Sequence, residues 1–108
     1  MESVAASKAL PKVLIVDDKP ANLRVLQELL KEFDVEVIEA TSGEETLSLV
    51  MRHHFAVILL DVKMPGMSGI ETANLMLGNE DTMQTPVIFI TGYDMDELDQ
   101  IEAILSVR

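Results

Sequence analysis

Four short apolar runs, each followed by a stretch with a different hydrophobic period, set the rhythm of the chain. Lys12-Val13-Leu14-Ile15-Val16 is rich in β-branched residues and does not alternate, the pattern of a strand buried on both faces. Pro20 suits a first helical turn, where its missing N–H costs nothing. From Ala21 to Glu32, Leu23, Leu26 and Leu30 recur at helical spacing with Val25 and Leu29 beside them. Val35–Glu39 alternates in part and predicts a second strand near a sheet edge. Ser42 and Glu45 stand three apart, the spacing of a capping box, and open a helix expected to reach about Arg52. Ala56–Leu60 is the most apolar strand. After the Met64-Pro65-Gly66-Met67 loop, Ser68 and Glu71 repeat the capping spacing and open a helix to Leu77, ended by Gly78-Asn79. Pro86 bounds a fourth strand, Val87–Ile90, and Asp94 with Glu97 opens a fourth helix. Residues 1–11 show no period and read as a flexible leader.

Strand–helix alternation of this kind predicts an α/β doubly wound fold: a parallel sheet with right-handed crossovers and helices on both faces. Ligands of such sheets bind beyond the carboxyl ends of the strands. The polar residues that end the apolar runs are therefore the candidate site: Asp17 and Asp18, then Asp61, then Thr91. Each has a plainer reading when taken alone. Asp17 or Asp18 can cap the helix after Pro20, Asp61 can be an ordinary loop residue, and Thr91 can be structural. Together they put three carboxylates and a hydroxyl on one rim. Clustered carboxylates repel unless a cation lies among them, and oxygen-only ligands favour a hard ion such as magnesium. Magnesium with few protein ligands points to phosphoryl chemistry, and a carboxylate can itself be the nucleophile. Asp61 is the natural nucleophile and Asp17-Asp18 the natural metal holder.

Composition narrows the partners. The 108 residues carry 8 Lys+Arg against 19 Asp+Glu, a net charge of −11. That balance disfavours both nucleic acid and anionic membrane surfaces. No apolar run approaches the roughly 20 residues of a membrane span, and the N-terminus lacks the pattern of a signal peptide. The absence of Cys excludes disulfides and thiolate sites, and a soluble, cytoplasmic domain is expected. Of the remaining candidates, His53-His54 reads as a solvated turn and most Met residues as fillers. Tyr93 reads either as a gate beside the site or as a surface loop residue. Asp94–Glu102 reads as a solvated acidic helix face. Gly43, Gly66 and Gly69 make no phosphate loop.

The segments Val13–Asp18, Ile58–Gly69 (with Asp-Val-Lys-Met-Pro-Gly-Met-Ser-Gly) and Pro86–Gly92 resemble the receiver domain of two-component response regulators. The resemblance covers residues 12–108. It implies a flavodoxin-like fold with strand order 2-1-3-4, continued by a fifth strand in complete receivers. It makes Asp61 the acceptor of a phosphoryl group from a sensor histidine kinase or phosphotransfer protein, with Mg2+ as cofactor. Asp18 would ligate the ion directly, Asp17 through a metal-bound water, and Lys63 through its backbone carbonyl. Thr91 would contact the phosphoryl group and act as the switch. Such a domain is a signalling element, not an enzyme in its own right. The chain departs from the family pattern by stopping before the fifth strand and its lysine. The expectation is an exposed fourth-strand edge, open to homodimer pairing or a domain swap. A second reading is a phosphorylation-independent interaction module. A third, an aspartyl phosphatase, expects an Asp two past the nucleophile, where Lys63 stands.

Overall fold

The computed structural model describes residues 10–90. The expectations for most of the leader, for Thr91 and Tyr93 and for the fourth helix lie outside the described residues. In chain order the elements are β1 (Lys12–Val16), α1 (Pro20–Leu30), β2 (Glu36–Ala40), α2 (Gly43–Val50), β3 (Val57–Asp61), α3 (Gly69–Leu77) and β4 (Val87–Ile90). The strands form a parallel sheet in the order β2-β1-β3-β4. β2 takes an edge, as its partial alternation predicts. β4 takes the other edge among the described residues, with Phe89 41% exposed. The Pro11 carbonyl accepts from the Glu36 N–H at 2.8 Å, so the last residue assigned to the leader is already tied to β2.

The non-alternating runs have a direct structural cause. β1 and β3 are central strands, and successive side chains enter two different cores. Val13, Ile15, Val57 and Leu59 pack against Leu23, Leu26 and Leu30 of α1. Leu14, Val16, Ile58 and Leu60 pack on the other face with Val50 of α2, Met76 of α3, and Phe55 and Met64. Each fully buried aliphatic side chain contributes roughly 1.5–3 kcal/mol relative to exposure, so the two central strands anchor the domain.

Helix ends follow local chemistry, with some differences from the sequence pattern. α1 stops at Leu30, two residues short of the periodic stretch, because Lys31 donates its N–H to Glu28 in a tightened last turn. α2 stops at Val50, and the Arg52 side chain reaches back to Ser48. Ser42 caps α2 by accepting from the Glu45 N–H at 3.0 Å, but the Glu45 carboxylate turns to the Thr41 N–H at 2.8 Å instead of closing the box. The box at α3 is complete: Ser68 accepts from the Glu71 N–H at 3.1 Å, and Glu71 accepts from the Ser68 N–H at 3.0 Å. Ser68→Ala is therefore expected to cost about 1 kcal/mol in chemical denaturation. A change under about 0.3 kcal/mol would show that the box contributes nothing beyond its helix.

Candidate functional site

Asp17, Asp18 and Asp61 meet at the carboxyl ends of β1 and β3. This is the point where the chain, having wound outward to β2, returns to build β3 and β4 on the other side of β1. Register brings the carboxylates level. Val16 is paired with Leu60, so the next residues, Asp17 and Asp61, leave neighbouring strands at the same height. They also share the parity of Val13, Ile15, Val57 and Leu59, and so emerge on the same side of the sheet. One carboxylate oxygen from each of the three aspartates lies within 4.8 Å of the other two.

The surroundings treat the three carboxylates differently. Asp17 is fully buried, and accepts from the Lys19 N–H at 2.9 Å and from Asn22 Nδ2 at 3.1 Å. The capping alternative is thus partly realised: Asp17 organises the turn into α1, although Lys19 occupies the cap position without a side-chain bond. Asp18 is half-buried, and its Oδ1 is shut off from solvent without a hydrogen-bond partner among the described residues. Asp61 is 8% exposed and accepts a long, 3.4 Å hydrogen bond from the Lys63 N–H. Burial, reinforced by the Asp17 and Asp18 charges, raises the Asp61 pKa above its ordinary value of 3.8, against the lowering influence of the Lys63 N–H and of Lys19.

A buried, unpartnered carboxylate oxygen beside two further carboxylates fits a small hard cation. The donor set is all oxygen, carries excess negative charge, and has coordination to spare. These residues fit magnesium.

Gly69 holds the site from below. A Cβ there would overlap the Asp61 carbonyl oxygen and stand 3.0 Å from Val62 Cα, so only glycine lets α3 start this close to the end of β3. The Gly69 N–H closes the turn on the Val62 carbonyl at 2.9 Å.

The family model for the response regulator receiver domain matches residues 13–106. This chain belongs to the receiver domain family. The receiver is 34% identical over 83 residues to the polar-differentiation response regulator DivK of Brucella ovis, covering 77% of this chain and 68% of DivK. Among solved structures it is similar to the Vibrio cholerae chemotaxis protein CheY4, with a TM-score of 0.72 and 30% identity over 91% of this chain and 82% of that one. It shares its fold with the receiver domain of the Pseudomonas aeruginosa sensor histidine kinase PA1611, with a TM-score of 0.76 and 18% identity. That match covers 90% of this chain and 98% of the other. The PA1611 structure holds a magnesium ion coordinated in its active-site cleft. Receiver domains are phosphoacceptor switches of two-component signalling and interact with sensor histidine kinases or phosphotransfer proteins. The fold, the family and the signalling class expected from the sequence are all borne out. Among the described residues, no helix is long and apolar enough to cross a membrane.

Two site residues of this receiver escape a reading by strand ends. Asn22 lies inside α1 and reaches back to Asp17, and Gly69 acts only through its missing side chain. The signal for Asn22 was its place directly after Pro20-Ala21, in the helical turn that faces the strand end. His53 also differs from expectation. It is half-buried, its Nδ1 lies 3.1 Å from Lys12 Nζ, and its ring tilts against Phe55. It ties down the opposite rim of the sheet instead of lying in a solvated turn.

Proposed function

We propose that Asp61 is the phosphoacceptor of this receiver and that Asp17, Asp18, Asp61 and the Lys63 backbone carbonyl hold the magnesium ion it uses. The single observation that carries this reading is the level convergence of three carboxylates, with a buried Asp18 oxygen that no group among the described residues satisfies. An Asp61 carboxylate oxygen attacks phosphorus, the bond from phosphorus to the donor breaks, and the acyl phosphate forms on Asp61. The leaving imidazole of a phosphohistidine keeps the electron pair and takes up a proton. Magnesium, when bound, neutralises charge on the carboxylates and on the transferring phosphoryl oxygens. Asp17 orients the site through its bonds from Lys19 and Asn22. The Asp61 carboxylate is stationed by the Lys63 N–H. Thr91, whose role comes from the family resemblance, donates its hydroxyl to a phosphoryl oxygen and acts as the switch. The domain assists its own phosphorylation and dephosphorylation and has no other substrate. Its donor is a sensor histidine kinase or a phosphotransfer protein, and it works in the cytoplasm.

Intact-mass measurement after incubation with a small phosphodonor tests this. The expected result is a gain of one phosphoryl group that needs magnesium and is absent from Asp61→Asn. An adduct that survives Asp61→Asn, or that forms equally in chelator, overturns the assignment. Partner binding that ignores both magnesium and Asp61→Asn would instead favour the phosphorylation-independent module.

A further inference from the structure

We propose that the N-terminus of α2 positions the acceptor loop, through a lock in which Thr72 and Met67 close over the bare Cα of Gly43. The inference rests on Asp61 being the acceptor, and names residues that touch neither the ion nor the phosphoryl group. Gly43 is buried at the first turn of α2. A Cβ on it would overlap Thr72 Oγ1, and would stand 2.9 Å from Met67 Sδ and 3.0 Å from Met67 Cγ. α2 and α3 therefore meet at their N-terminal turns with no space between them.

The two contacts differ in how easily they yield. Met67 is half-buried and flexible, so its thioether can swing aside. Thr72 is fully buried, and its hydroxyl donates to the Ser68 carbonyl at 2.8 Å while its N–H donates to the same oxygen at 3.0 Å. A push on Thr72 is thus a push on Ser68 and on the start of α3. The start of α3 is also where Gly69 lies against the Asp61 carbonyl. The loop that links Asp61 to α3 is pinned at its α3 end by Gly69 and clamped two residues earlier by Met67 on Gly43. Displacing the clamp moves the backbone on which Asp61 and the Lys63 carbonyl are carried. Positioning errors near 1 Å at a reacting group cost on the order of a hundredfold in rate, so even a partial shift is measurable.

The test is a double-mutant cycle on the full chain, read as the phosphorylation rate from a small phosphodonor and the magnesium concentration for half-maximal rate. Both are measured at a temperature where circular dichroism shows each variant folded. Gly43→Ala is expected to lower the maximal rate by about tenfold and to raise the magnesium requirement. Thr72→Ala removes the hydroxyl the new methyl would strike. The double variant is therefore expected to run within about twofold of Thr72→Ala alone, a rescue that general destabilisation would not produce. Met67→Ala, which opens the clamp without inserting an atom, is expected to slow the reaction about threefold and decides the matter if Gly43→Ala does not fold. Wild-type rates in both Gly43→Ala and Met67→Ala, or purely additive losses in the double variant, overturn the lock while leaving Asp61 as acceptor. A wild-type chain that takes no phosphoryl group on Asp61 overturns the acceptor reading itself, and the lock with it.

Discussion

Asp61→Asn is expected to make the metal-free domain more stable at neutral pH and to remove most of its stabilisation by magnesium. The variant keeps the shape of the side chain and an oxygen for the Lys63 N–H, but deletes one of three charges lying within 4.8 Å of one another. Allowing for solvent screening, the relief is roughly 1–3 kcal/mol. The sign of the pH dependence follows from the direction of the pKa. Burial and the neighbouring aspartates raise the Asp61 pKa above 3.8, so the folded state favours the protonated carboxyl. The stability carried by that proton is fully present below the unfolded pKa and is lost as pH rises through the higher folded value. The advantage of the Asn variant is therefore absent in acid and grows as pH rises from the unfolded value through the raised folded one. Magnesium opposes that advantage, because a ligand that binds only the folded state adds about 2.7 kcal/mol at 100 times its Kd. Thermal melts in chelator and in magnesium, at acid and neutral pH, read all of this. A less stable variant in chelator at pH 7, or a wild type indifferent to magnesium, would contradict the site described here.

Replacing Gly69 by Ala is the most damaging single methyl the structure identifies. The new carbon meets the Asp61 carbonyl oxygen and carbon and Val62 Cα, all backbone of the central strand and its exit. Nothing there can rotate away, so either β3 or the first turn of α3 must shift. Overpacking of this kind costs roughly 1–3 kcal/mol, which in a domain of this size lowers Tm by roughly 5–20 °C. Function should suffer more than stability, since the displaced strand end carries Asp61, the proposed acceptor. Phosphorylation of the folded fraction is expected to fall by on the order of a hundredfold. A melt shifted by less than about 2 °C together with an unchanged rate would show that the loop absorbs the methyl elsewhere.

Much of this receiver is written locally. The unbroken apolar runs of β1 and β3 reflect two-sided burial, a property each residue carries without reference to distant ones. Ser68 with Glu71, and Leu23 with Leu26 and Leu30, specify a helix start and a helix face through contacts three and four residues apart. Strand-end aspartates were legible for the same reason: an apolar strand that stops at a carboxylate places it on the rim.

Other features depend on segments far apart in the chain. His53 is fixed by a lysine 41 residues away.

The sequence by itself determined the described strands and helices, their alternation, and the strand-end aspartates that share one rim. Only the tertiary structure decided that Asp17 and Asp61 are level, that an Asp18 oxygen is sealed from solvent, and that Gly43 and Gly69 are contact points. The physical reason is that periodicity and capping act within a turn or two of backbone. Register, desolvation and close approach arise only when separate segments pack, and a glycine that matters for the atom it lacks leaves no pattern along the chain.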